Sequence, residues 1–125
     1  MRSAESKLAS LEEIAARLEG ERAAGRKIAL ATGPFQLVHI GGVRFLSALK
    51  AEADVLVVAV IQDEYTKPVV PPEDRALVLA ALRAVDHVLV VRPSQLDDVR
   101  GLVRADVSRF ETEDGTRALI NQIRR

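Results

Sequence analysis

The 125-residue sequence contains no cysteine. That excludes a disulfide framework, thiolate zinc sites and a cysteine nucleophile, while saying little about compartment. It has no tryptophan, one tyrosine and three phenylalanines, too few aromatic faces for a platform that stacks single-stranded nucleic acid. An excess of charge of one sign is missing as well. Eighteen Lys and Arg balance eighteen Asp and Glu, which argues against a protein held to nucleic acid by neutralising phosphates. Long hydrophobic runs are absent. The longest, residues 55–61, has the length of a buried strand, far below the roughly 20 residues that cross a bilayer. Residues 1–13 are polar and carry no signal-peptide core. The expectation is a cytoplasmic protein without membrane or nucleic-acid partners. At 48% hydrophobic and 29% charged, the chain is predicted to fold as a single domain over residues 1–125, with no repeat and no low-complexity linker.

What is present alternates between two periods. Leu8, Leu11, Ile14, Ala15 and Leu18 recur at helical spacing. Ser10 and Glu13 have capping-box spacing, so a helix starts near Ser10 and stops at Gly25. Residues 27–32 (KIALAT) read as a buried strand and residues 33–42 as a turn. Residues 43–53 follow as a helix through Val43, Leu46 and Leu49. The β-branched stretch 54–61 (DVLVVAVI) is a strand buried on both faces. A loop with Lys67, Pro68, Pro71 and Pro72 precedes a helix over 73–85 and a strand over 86–91. Ser94 is placed to cap a helix over 95–103. A short strand is expected within 104–110, and a last helix from Gly115 or Thr116 to the C-terminal arginines. This order predicts an α/β fold: a Rossmann-like three-layer α/β/α sandwich around a parallel sheet. In such sheets ligands bind beyond the C-terminal strand ends, which singles out the turn after the first strand.

That turn reads Gly33-Pro34-Phe35-Gln36-Leu37-Val38-His39-Ile40-Gly41-Gly42. Two readings stand side by side. Gly41 and Gly42 let an anion approach helix N–H groups, with His39 donating to a phosphate oxygen; or the glycines serve only a tight turn and His39 packs beneath the helix.

Gly-x-Phe-x-x-x-His-x-Gly after a first strand resembles the cytidylyltransferase-like nucleotidyltransferases, marked by a His-x-Gly-His motif. Within them the sequence is most similar to the adenylyltransferase of ADP-heptose synthesis. The likeness continues through Ala24-Gly25-Arg26-Lys27-Ile28 and Gly42-Val43-Arg44-Phe45-Leu46. It is most specific over Lys67-Pro68-Val69-Val70-Pro71-Pro72-Glu73-Asp74-Arg75 and the helix after it, and covers about residues 10–91. The resemblance implies transfer of a nucleotidyl group from ATP or CTP, with Mg2+, to a sugar phosphate or similar acceptor, releasing pyrophosphate. It assigns His39 to the triphosphate and Thr32, Gly33 and Phe35 to the pocket floor. It further assigns Gly41, Gly42 and Arg75 to nucleotide or phosphate binding, and Lys67, at an Arg-Pro position, to phosphate handling beside His39. Asp63 matches an aspartate after the second strand. A homodimer is implied too.

The departures bear on catalysis. Gly42 stands where the motif's second histidine belongs, and glycine cannot stabilise charge on a transferred phosphorus. Losing one such donor typically costs about a hundredfold or more in rate. Gln36 replaces a common aspartate, and the loop between Asp63 and Lys67 is too short for the usual lysine-bearing stretch. The lysine-glycine-glycine-aspartate stretch has no counterpart. The phosphate turn of the last helix survives as Asp114-Gly115-Thr116-Arg117; Thr116 can cap that helix and touch a phosphate, and Arg117 can supply charge or be a surface residue. The expectation is a nucleotide-binding member with weak or absent catalysis; the alternative is a pseudoenzyme that dimerises or holds a partner. Elsewhere His87 is expected to be a packed or edge histidine. Asp97, Asp98, Glu111, Glu113 and Asp114 match no metal motif and are expected to form a solvated acidic face. No metal ligands are assigned.

Overall fold

The computed structural model describes residues 3–36, 39–62 and 70–111. Ser3 caps a short helix, α1 (Ala4–Lys7). Ser10 and Glu13 then form the expected capping box on α2 (Leu11–Ala23), with Ser10 Oγ accepting the Glu13 N–H at 3.2 Å. Gly25 follows at φ 78°, a left-handed turn that glycine adopts without a Cβ clash. The chain continues through β1 (Ile28–Gly33), α3 (Ile40–Lys50), β2 (Val55–Ile61), α4 (Pro72–Ala80), β3 (His87–Val91), α5 (Leu96–Val103) and β4 (Val107–Phe110).

All described pairings in the sheet are parallel, in the order β3-β2-β1-β4. Helices cover both faces, as the α/β alternation predicts. Ala29, Ala31, Val58 and Val60 pack with Phe45, Leu46 and Leu49 of α3 and Ala76 and Leu79 of α4. Ile28, Leu30, Val57 and Ala59 pack with Ile14 and Leu18 of α2 and Val99 and Val103 of α5. Burying each large side chain contributes about 1.5–3 kcal/mol, and β1 and β2 gain it on both faces, which is why they lack polar alternation.

Three aspartates fix the register. Asp54, Asp86 and Asp106 each precede a strand, and each is joined by two hydrogen bonds to one residue at or just before the start of the neighbouring strand. The backbone N–H groups donate to Lys27 O, Leu56 O and Ile28 O. The carboxylates accept from Lys27 N, Leu56 N and Ile28 N, all at 2.8 Å. A one-residue slip breaks both bonds of a pair and reverses the buried face.

The boundaries depart from the sequence expectations in four places. Helix α3 begins at Ile40, not Val43, because His39 caps it and brings Gly41 and Gly42 into its first turn. Helix α4 ends at Ala80, short of residue 85; i+3 bonds from Leu82 to Leu79 O and from Val85 to Leu82 O tighten the chain so that Val85 reaches the core. Ser94 does not cap α5: it lies in a 3-10 turn, Pro93–Gln95, and the Gln95 side chain accepts the Arg92 N–H at 2.8 Å. Leu8 leaves the helical stripe for a parallel bridge to Val88, and Ala9 N–H donates to Val88 O, which covers the outer edge of β3. The expected last helix lies outside the described residues.

Candidate functional site

From β1 the chain passes through α3 on one face of the sheet to β2, whereas β4, the other neighbour of β1, is entered from α5 on the opposite face. The strand order thus reverses at the C-terminal ends of β1 and β4, the switch point where α/β sheets receive ligands. Thr32, Gly33, Pro34 and Phe35 form its β1 side, and Glu111 follows β4 on the other.

The two strands touch there. Glu111 N–H donates to Thr32 O at 2.6 Å. A Cβ on Gly33 would lie 2.4 Å from Glu111 O and 2.9 Å from Glu111 Cβ, so no larger residue fits. Thr32 is buried and, by strand alternation with Ile28 and Leu30, its side chain faces the α2–α5 side; its carbonyl is taken by the Glu111 N–H. Phe35 has φ 45°, a strained setting for an aromatic residue. Its ring, buried in the α3–α4 cluster, holds it there.

His39 does not pack beneath the helix; it is exposed and is the N-cap of α3. Its Nδ1 accepts the Gly41 N–H at 3.0 Å, which assigns the ring proton of the neutral imidazole to Nε2. The first turn of α3 holds no acidic residue, whereas every other described α-helix carries at least one there. The positive end of its dipole thus lacks an internal counter-charge, as suits an external anion. A Cβ on Gly42 would meet nothing within 4 Å. That holds among the described residues; Gly42 itself is buried in the first turn of α3.

Arg75, in the first turns of α4, is 1% exposed, and its Nη1 donates to Pro34 O. Nε and Nη2 are buried without a hydrogen-bond partner among the described residues. Burial lowers the guanidinium pKa from its ordinary value, with Glu73 opposing the shift. One buried cation thus ties α4 to the β1–α3 turn. The structure gathers Thr32, Gly33, Phe35, His39, Gly41 and Gly42 along one turn and adds Arg75 through Pro34. Lys67, Thr116, Asp63 and Arg117 lie outside the described residues.

Sequence reasoning misjudged Glu111. It was expected on a solvated acidic face, yet it is 3% exposed, while Asp97 and Asp98 are exposed as expected. The signal was positional: Glu111 directly follows a strand whose partner, β1, only the sheet order reveals. His87 is buried at the start of β3. A cavity of about 520 Å³ lies beside it at the opposite end of the sheet, near Arg26 and Asp86. Its charges are engaged locally, Arg26 with Glu21 at 2.8 Å and Asp86 with Lys50 at 2.5 Å. Among the described residues no three His, Asp or Glu side chains converge as a metal-ligand set, and no helix is long and apolar enough to cross a membrane.

A parallel sheet in the order β3-β2-β1-β4 with helices on both faces defines a Rossmann-like α/β protein. The sequence model of the cytidylyltransferase-like family matches residues 30–121, and the chain belongs to that family. It is 34% identical over 110 residues to the bifunctional protein HldE of Desulfatibacillum aliphaticivorans, covering 82% of this chain and 22% of that one. It is 37% identical over 108 residues to the FAD synthase of Pyrococcus horikoshii, covering 75% and 73%. The chain thus spans about a fifth of the bifunctional relative. The crystal structure of the lipopolysaccharide core biosynthesis protein from Thermoplasma volcanium superposes with a TM-score of 0.63 at 25% identity, over 67% of this chain and 73% of that one.

Proposed function

We propose that the chain binds the triphosphate of ATP or CTP at the first turn of α3, and that its nucleotidyl-transfer chemistry is slow or lost. The observation that carries this reading is the acid-free, histidine-capped N-terminus of α3 at the switch point, in a chain of the cytidylyltransferase-like family. The likeness to HldE favours a phosphorylated sugar as acceptor. In the transfer, an acceptor phosphate oxygen attacks the α-phosphorus and pyrophosphate leaves. The protein's part is positioning and charge stabilisation. His39 donates from Nε2 to a phosphate oxygen while its Nδ1 holds the helix cap. Arg75 keeps the turn in place through Pro34, and Lys67 and Thr116, which lie outside the described residues, handle phosphates. Mg2+ enters with the nucleotide and would neutralise its phosphates. Gly42 supplies no donor, and loss of such a donor slows transfer about 10²–10³-fold.

Calorimetric titration with ATP and with CTP, each with Mg2+, tests the binding. Saturable binding that is lost in His39→Asn supports it. No binding at millimolar nucleotide overturns it and favours the protein-interaction alternative. Pyrophosphate release with a panel of sugar phosphates tests the chemistry: Gly42→His restores the motif's second imidazole and is expected to raise the rate about tenfold or more.

A further inference from the structure

The sheet is covered at one edge and open at the other. Along β3 the chain itself adds a parallel bridge from Leu8 to Val88, with Ala9 N–H donating to Val88 O. Along β4, among the described residues, no strand pairs on the side away from β1. Glu111 N–H donates to Thr32 O. By the alternation of a ladder, Val107, Arg109 and Glu111 therefore turn their backbone groups to β1, and Ser108 and Phe110 turn theirs outward. Ser108 O accordingly accepts a side-chain donor, Arg109 Nη1 at 2.9 Å, and keeps a second lone pair. In register with Leu30 and Thr32, Ser108 and Phe110 lie on the face of the sheet that α2 and α5 cover, yet both are exposed, Phe110 by 49%. Leu102, at the end of α5 that leads into β4, is 45% exposed.

An open strand edge is a template for another strand. We propose that the outer edge of β4 pairs with the same edge of a second copy, antiparallel about a two-fold axis, joining the two sheets into one. The chain's own tail is too short for this place. With the last helix expected from Gly115 or Thr116, residues 112–114 span at most about 10 Å, too little to turn and run back along β4. The two ends of the edge complement each other: Phe110 lies at one, and Leu102 leads into the other. A two-fold axis brings Phe110 of each copy to the end of the partner's strand that the partner's Leu102 approaches. Charge selects the register. Arg109 opposite its own copy would set like charges against each other, whereas Ser108 opposite its own copy sets Arg109 beside Val107. In that register the two Ser108 residues exchange backbone hydrogen bonds across the axis. Both open edges are then used, so assembly closes at two copies. A strand of four residues makes a small interface, and the dimer belongs to the weak class, forming between about 10 µM and 1 mM. The inference is independent of the nucleotide reading.

Sedimentation equilibrium of the unmodified chain across that range is expected to show monomer and dimer in exchange. Phe110→Lys, which sets a charge on the edge, should weaken the dimer about tenfold or more. The sequence has no cysteine, so Ser108→Cys forms a disulfide only with a second copy. Hydrogen-bonded neighbours in an antiparallel pair stand about 5.5 Å apart at Cα, within disulfide reach. Mild oxidation should therefore link Ser108→Cys at least about tenfold faster than Ser94→Cys, a variant at an exposed serine ahead of α5. The amides of Ser108 and Phe110 should gain exchange protection as concentration rises. A chain that stays monomeric at the highest concentration overturns the proposal, and so does equal linking of the two cysteine variants. A dimer that Phe110→Lys leaves intact places the interface elsewhere and overturns it too. Protection of the two amides that ignores concentration shows that the chain's own residues cover the edge, and the proposal fails.

Discussion

The same substitution at two glycines should move stability in opposite directions. Gly33 does not have the positive φ of Gly25, so Gly33→Ala carries no backbone penalty. Its cost is contact alone. The new methyl would sit 2.4 Å from Glu111 O, a backbone atom, and 2.9 Å from Glu111 Cβ. No side-chain rotation relieves that, so β4 must shift away from β1 and stretch the Glu111–Thr32 hydrogen bond of 2.6 Å. Overpacking of this kind costs about 1–3 kcal/mol. Gly42, in the first turn of α3, would place the same methyl in open space. Replacing a helical glycine with alanine then stabilises by about 0.5–1 kcal/mol. For a domain of this size the two variants should melt about 10 °C apart, with the unmodified chain between them. Thermal unfolding followed by circular dichroism reads the order, and amide exchange reads the local event: the Glu111 amide should lose protection in Gly33→Ala and keep it in Gly42→Ala. Melting of Gly33→Ala within about 1 °C of the unmodified chain, with the Glu111 amide still protected, would refute the claimed contact between β1 and β4.

Two replacements of His39 separate its roles: His39→Ala should lose about 1 kcal/mol of cap stability together with nucleotide binding, whereas His39→Asn keeps the cap acceptor and should lose binding alone, as melting and titration will show. Arg75→Ala should cost about 2–4 kcal/mol by vacating a packed site and leaving Pro34 O without its donor. Because burial lowers the folded-state pKa of Arg75, the unfolded chain holds that proton more tightly; stability linked to it rises only in strong alkali, and the gap between Arg75→Ala and the unmodified chain should stay flat between about pH 6 and 9 in chemical denaturation. Asp86→Ala removes the acceptor for both Leu56 N–H and the Lys50 ammonium and should cost about 1–3 kcal/mol. Asp86→Asn retains an acceptor for Leu56 and should recover much of that loss, an order that urea unfolding checks.

Legibility of the fold followed the physics of each signal. The strands were readable because burial on both faces leaves an unbroken apolar run, as in residues 55–61. The α2 start was readable because a capping box is local to four residues. The α3 start was not, since histidine is a rare cap and Gly41-Gly42 resembles a turn; only the Nδ1 bond to Gly41 shows that the helix already begins at Ile40. Much of the candidate site was visible as well, because its proposed anion-binding end is one stretch of chain. Arg75 and Glu111 come to it from elsewhere. Composition treats both as surface charges, yet both are nearly fully buried, and their places depend on which strands are neighbours. The three register aspartates were hidden for the same reason: each is recognised by its partner across the sheet, and no spacing along the chain announces it.

The residues that match the nucleotidyltransferase motif have duties in folding that need no nucleotide. Gly33 permits β4 to approach, His39 caps α3, and Arg75 holds Pro34. Replacing any of them disturbs the turn itself. Gly42 shows no such contact: a Cβ there would meet nothing within 4 Å among the described residues, so a residue there is freer to act on what binds at the turn. The resemblance therefore persists where folding demands it and ends where only chemistry would. This division supports the reading of a preserved binding scaffold with weakened transfer. It also implies that Gly42→His can alter catalysis at little structural cost, which makes the rate of that variant a cleaner test of lost chemistry than any deletion of a matching residue.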